Sequence, residues 1–223
     1  MSYSRFAIYY TPPYGPLAQF GAAWLGWDVE RGQEAVQPDV PGLHDITMTP
    51  RKYGFHATLK PPFRLADGAT EDLLFTAVGE LAETLAPATC EGLTLSSLGR
   101  FMALTLQGDV AGVRRVAGGC VRGLDAFRAP APPAELARRR QPGLSPRQDT
   151  LLQQWGYPYV IEEFRFHMTL TGPLADGAVD DWMTIAKQHL PPLPAPFTLD
   201  QIALCGERAD GRFEMIHRYA LTG

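Results

Sequence analysis

Two short stretches, Gly54-Phe-His-Ala-Thr-Leu-Lys60 and Arg165-Phe-His-Met-Thr-Leu-Thr171, decide how this chain is read. Each runs apolar-His-apolar-Thr-apolar. Successive side chains of a β-strand point to opposite faces. In the first stretch His56, Thr58 and Lys60 therefore share one face, and Phe55, Ala57 and Leu59 the other. In the second, Arg165, His167, Thr169 and Thr171 stand opposite Phe164, Phe166, Met168 and Leu170. The apolar face packs a core, so each strand presents an imidazole and a hydroxyl away from it. Brought together, two imidazoles and two hydroxyls make a general acid/base pair around a phosphate.

Working outward, Ser4–Tyr10 reads as a strand stopped by Pro12-Pro13, and residues 16–27 as a helix with proline near its start. Residues 31–50, rich in Gly and Pro, read as a loop. The first motif strand, 53–60, is expected to end at Pro61-Pro62, because proline cannot donate to a ladder. A helix over 70–85 carries its acids in the first turn, and strands follow at 92–97 and 101–107. Asp109 caps a helix to about Phe127 that contains Gly118-Gly119. Residues 129–144 are Pro-rich and include Arg138-Arg139-Arg140. That run reads as a solvated helix face, with a phosphate-clamping lid as the alternative. Ser145-Pro-Arg-Gln148 is a capping box opening a helix to Trp155. The second motif strand spans 163–171, a helix 179–190, and a hairpin around Asp210-Gly211 closes the chain.

The order repeats. Each motif strand is followed by a helix and then by a pair of strands, and the two histidines lie 111 residues apart, about half of the 223-residue chain. This predicts an α+β fold in a single bilobal domain over 1–223. Two pseudo-symmetric lobes of antiparallel sheet plus helices, centred on the motif strands, surround a central groove.

Composition narrows the function. The chain is 45% hydrophobic and 20% charged with a net charge of −4, which argues against a broad electrostatic grip on nucleic acid. Three scattered cysteines, Cys90, Cys120 and Cys205, form no CxxC pair and read as buried thiols rather than a disulfide frame or zinc site. The opening Met-Ser-Tyr-Ser-Arg is unlike a signal peptide, and no apolar run reaches membrane-spanning length, so a cytoplasmic protein without membrane partners is expected. His44, His189 and His217 lack a partner pattern, and no metal-ligand spacing occurs. Gly118-Gly119 lacks the Gly-Lys-Ser/Thr ending of a phosphate loop.

His56-Ala-Thr58-Leu59 and His167-Met-Thr169-Leu170 resemble the doubled His-x-Thr/Ser-apolar motif of the 2H phosphoesterase superfamily. Tyr53–Phe63 together with Phe164–Pro173 is similar, more narrowly, to a bacterial DUF1045-like subgroup associated with phosphonate metabolism. The resemblance implies a bilobal α+β fold, no metal or cofactor, and attack on a cyclic phosphodiester or related phosphate ester. His56, His167, Thr58 and Thr169 are then the catalytic set. Lys60, Arg165 and Thr171 are candidate substrate-binding residues from strand alternation, with Tyr53 and Tyr9 as stacking candidates. His167 is expected as the base and His56 as the acid.

The expected substrate is a small cyclic phosphate, such as a phosphoribosyl 1,2-cyclic phosphate from phosphonate breakdown. Two alternatives stand beside it. One is RNA-end processing, by 2′,3′-cyclic phosphate hydrolysis or 2′,5′ ligation. The other is a non-catalytic sugar-phosphate-binding accessory protein.

Overall fold

A computed structural model describes residues 3–141 and 143–223; Met1 and Ser2, within the opening segment, and Pro142, within the Pro-rich segment, lie outside them. The strands are β1 (Phe6–Tyr10), β2 (Trp27–Asp28), β3 (Gln33–Glu34), β4 (Ala57–Phe63), β5 (Ala88–Cys90), β6 (Gly92–Leu98), β7 (Phe101–Gln107), β8 (His167–Thr169), β9 (Phe197–Leu199), β10 (Gln201–Glu207) and β11 (Phe213–Ala220). The helices are α1 (Pro16–Leu25), α2 (Leu43–Arg51), α3 (Glu71–Thr84), α4 (Ala111–Gly123), α5 (Pro133–Arg140), α6 (Pro146–Trp155) and α7 (Val179–His189).

Seven strands form one sheet in the order β11-β10-β1-β4-β8-β7-β6, with every neighbour antiparallel. The motif strands β4 and β8 lie side by side at its centre, rather than facing each other across a gap. They are joined at the single register pair Ala57↔Met168. The hairpin that follows each motif strand is exchanged across this seam. β6–β7, from the first repeat, borders β8, while β10–β11, from the second, lies on the β1–β4 side. Outside the main sheet β5 pairs with β9, tying equivalent points of the two repeats.

One sheet face is covered by helices. Ile8, Ala57, Leu59, Met102, Leu104, Met168, Leu170 and Leu204 meet Leu74 and Val78 of α3, Val113, Val116 and Cys120 of α4, and Trp24 of α1 in the main core. All three cysteines are free and buried. On the other face, the β10-β1 side carries a smaller core of Ala7, Tyr9, Ala203 and Cys205 under Trp27, Val29 and Phe213.

Several sequence expectations shift. β4 does not stop at Pro61-Pro62 but runs to Phe63. Beyond Ala57 its β8-facing edge is unpaired, and a register shift against β1 between Phe6↔Phe63 and Ile8↔Lys60 absorbs one residue, so two missing N–H groups are tolerated. β8 covers His167–Thr169 only, preceded by a 3-10 turn at Ile161–Glu163. The 31–50 segment contains α2, whose buried Leu43, Thr47 and Pro50 keep helical spacing. The Pro-rich 129–144 segment contains α5, which buries no residue; Arg139 pairs with Glu135 and Arg140 with Asp149. Asp109 precedes the cap position of α4 but still accepts from Ala111 N at 2.8 Å. Thr70 and Ser145 cap α3 and α6 as expected.

Small residues let the helices close on the motif. A Cβ on Gly21 of α1 would lie 1.9 Å from the Phe55 ring, so the glycine sets how deep the first motif sits. Gly119 and Gly123 bring α4 against Leu85 and Leu81 in the same way. Among the described residues, no helix is long and apolar enough to cross a membrane. Gly21→Ala is expected to destabilise by about 1–3 kcal/mol through overpacking at Phe55, read as a lower urea midpoint at unchanged m-value.

Candidate active site

The pair Ala57↔Met168 fixes the site. Carried one residue either way, this antiparallel register sets Thr58 opposite His167 and Thr169 opposite His56. The four side chains form a square on the face opposite the helices, with the imidazoles on a diagonal. Diagonal cross-strand neighbours stand roughly 7–8 Å apart at their Cβ atoms.

The two rings are held alike. His56 Nδ1 bonds the Gly54 carbonyl at 2.9 Å, and His167 Nδ1 bonds the Arg165 carbonyl at 2.8 Å, each two residues upstream. A carbonyl oxygen only accepts, so Nδ1 carries a proton in both rings and Nε2 is left to bond other groups. Gly54 delivers its carbonyl from a left-handed φ of 72°, where a Cβ would also stand 2.5 Å from Val29 Cβ.

Beyond that the rings differ. His56 Nε2 lies 3.0 Å from Thr58 Oγ1, which donates to it in the neutral ring. Tyr9 stacks on His56 at a centroid distance of 3.8 Å and 28°, and Tyr53 stands 6.2 Å away, stacked in turn on Phe213. Burial in this aromatic wall pushes the His56 imidazole down to about 4; the Gly54 carbonyl partly offsets that, and the neighbouring His167 adds to it. His56 is therefore neutral at pH 7. His167 is half-buried, with Phe101 at 6.0 Å, and among the described residues its Nε2 has no protein partner.

The remaining sequence candidates divide. Tyr9 is fully buried and, among the described residues, its phenol oxygen has no hydrogen-bond partner, so it is a wall behind His56. Arg165 is exposed beside His167, and its backbone is what holds the ring. Thr171 is buried, its Oγ1 accepting from Met102 N at 3.0 Å, which ties the motif to β7.

Lys60 points away from the histidines. It is 2% exposed, its ammonium donates to the Val121 carbonyl in the last turn of α4 at 3.0 Å, and Asp125 lies at 3.7 Å. The register shift between β4 and β1 ends the strict alternation that put Lys60 beside Thr58. Burial lowers its pKa to about 8, with Asp125 opposing that and Arg128 adding to it.

The ladder also brings in residues the motif did not flag. Thr105 pairs with His167 and Ala103 with Thr169; in the next strand Thr94 pairs with Thr105 and Ser96 with Ala103. Thr94, Ser96 and Thr105 therefore share the histidine face. Their signal in the sequence was alternation with Leu93, Leu95 and Leu104. Among the described residues, no three His, Cys, Asp or Glu side chains group closely enough to hold a metal ion.

Residues 58–214 match the family described as "Protein of unknown function (DUF1045)". The chain belongs to the DUF1045 family. It is 38% identical over 221 residues to the ribose 1,5-bisphosphate phosphokinase PhnN of Janthinobacterium sp. (strain Marseille), covering 94% of this chain and 49% of that protein. It is 36% identical over 197 residues to the PhnN of Laribacter hongkongensis (strain HLHK9), covering 83% and 44%. The chain thus spans about half the length of these curated relatives. Among solved structures, a phosphoesterase aligns at TM-score 0.46 and 14% identity over 100% of both chains, and E. coli LigT complexed with 3′-AMP at 0.47 and 15% over 98% of both.

Two outcomes test this geometry. Between about pH 8 and 10.5 the unfolded chain holds a proton on Lys60 that the native state has lost, so stability rises with pH across that window. Lys60→Met should remove this slope, as measured by urea denaturation at successive pH values. Tyr9→Phe deletes a buried, unpaired hydroxyl and should stabilise the fold by about 1 kcal/mol in the same assay.

Proposed function

We propose that this protein is a metal-independent phosphoesterase that hydrolyses a small cyclic phosphate ester by two-histidine acid/base catalysis. The observation that carries the reading is the square of His56, Thr58, His167 and Thr169 on one sheet face, with Nδ1 of both rings tied to a carbonyl.

The asymmetry of the square supports roles that are the reverse of the sequence expectation. His56, kept neutral by burial, is the base: its Nε2 takes a proton from water as the water oxygen attacks phosphorus. His167, the more open ring, is the acid: its Nε2–H protonates the leaving ester oxygen as the P–O bond breaks. One water is added, and a proton exchanged with solvent resets the pair. Thr169 donates to a non-bridging oxygen, and Thr58 does so once the substrate draws it from His56. The phosphate anion beside His56 favours the imidazolium that forms there, which offsets the low basicity of the free site.

The names of the curated relatives support a phosphorylated ribose as the substrate class. The chain has no Gly-x4-Gly-Lys-Ser/Thr loop, so we assign the phosphokinase activity in those names to the half that this chain does not span. A ribose 1,2-cyclic phosphate, the ester expected from phosphonate breakdown, fits both points. The net charge of −4 favours such a metabolite over an RNA end.

Phosphorus NMR on ribose 1,2-cyclic and nucleoside 2′,3′-cyclic phosphates in EDTA tests the proposal. Turnover should persist in EDTA, and His56→Ala and His167→Ala should each lower kcat/KM by roughly 10²–10⁴. Turnover by either variant at the wild-type rate would sink the mechanism. Because protonation removes the base, kcat/KM should fall on the acid side through about pH 4 rather than near 6.5. Tyr9→Leu, which opens the wall behind His56, should move that limb upward.

A further inference from the structure

We infer that Thr105 and Ser96, on the β7–β6 side of His167, form a subsite for the hydroxyl groups of a phosphorylated sugar; the inference deepens the proposed function and rests on its placement of phosphate between the two histidines. Three observations meet here. First, the site face is closed on one side. Around Tyr9 the β1–β10 half is filled by Trp27, Val29 and Phe213, so the body of a substrate whose phosphate sits between the histidines has to extend over β7 and β6.

Second, that direction is lined with hydroxyls. Thr105 is the cross-strand partner of His167, Thr94 is the partner of Thr105, and Ser96 stands beside them. All three are half-buried, which leaves them reachable at the surface of the sheet. Third, Ser96 Oγ and Thr105 Oγ1 are 2.7 Å apart and hydrogen-bonded. One hydroxyl donates to the other, so the pair retains one free O–H and spare lone pairs. It can therefore donate and accept at once, as a sugar diol requires. No Lys or Arg lies among the residues that β6 and β7 contribute, so what these strands offer is neutral hydroxyl chemistry. Phe101, 6.0 Å from His167, adds an apolar edge suited to the carbon face of a sugar ring.

The test is equilibrium titration calorimetry with ribose 5-phosphate and with inorganic phosphate as probes. Wild type should bind ribose 5-phosphate more tightly than inorganic phosphate. Thr105→Val and Ser96→Ala should each weaken ribose 5-phosphate about tenfold, with inorganic phosphate changed less than twofold. Thr105→Ser, which keeps the hydroxyl, should restore the preference. Thr89→Val, which breaks an exposed hydroxyl pair with Thr198 of similar length (3.2 Å) on the β5–β9 ribbon, should leave both affinities unchanged.

The subsite is overturned if wild type shows no preference for the sugar phosphate, or if Thr105→Val weakens both probes equally or neither. Because binding is read without turnover, the two ideas separate. A preserved sugar preference with no hydrolysis of any cyclic phosphate would fail the proposed function and keep the subsite. Hydrolysis without a sugar preference would do the reverse.

Discussion

The site depends on one backbone pairing, Ala57 with Met168. Among the described residues it is the only register pair between β4 and β8, and it is what makes two distant His-x-Thr segments neighbours on a common face. Little else near the seam could hold it, since β8 is three residues long. Its support comes from outside. Leu170 N bonds Met102 O at 2.8 Å, Trp24 Nε1 bonds Leu170 O at 3.0 Å, and Thr171 Oγ1 accepts from Met102 N. The exchanged hairpins contribute as well, because each repeat supplies strands to the other's side of the sheet. The two repeats are thus held by paired backbone across the whole sheet, and a shift of one residue at the seam would turn both His-x-Thr faces into the helical core.

Within that frame, near-symmetric motifs acquire different chemistry. Both rings are tethered through Nδ1 to a carbonyl two residues back, an arrangement local to the strand. What separates them is what packs behind. Tyr9 stacks on His56 and desolvates it, whereas β7 offers His167 a hydroxyl neighbour and a more open flank. Two equal imidazoles would share one protonation state at a given pH. Unequal surroundings distinguish the rings: burial behind Tyr9 pushes the His56 imidazole down, while His167 keeps a more open flank.

The buried Lys60 shows how the same sheet spends a charged residue on structure. Its ammonium satisfies a carbonyl in the last turn of α4, one of the groups a helix leaves unpaired at its end, and its charge is met by Asp125. That explains how β4 continues through two prolines while staying docked: the helix end grips the strand from the side where the prolines cannot.

Much of this was legible in the sequence. The doubled motif, its alternation, the repeat of strand, helix and hairpin, and the caps at Thr70 and Ser145 are local patterns, and local patterns survive without knowledge of the fold. Helix α2 was hidden by Pro41, Gly42 and Pro50, and α5 by the prolines before it, because composition outweighed a short period. By itself the sequence determined which side chains share a face: an imidazole and a hydroxyl on each motif strand, set there by the period of two. Only the tertiary structure decided that these faces are adjacent, that a bulge turns Lys60 away, and that the wall of Tyr9 falls on His56 alone. Those outcomes depend on strand order, register and burial, which arise from residues far apart in the chain meeting across the sheet.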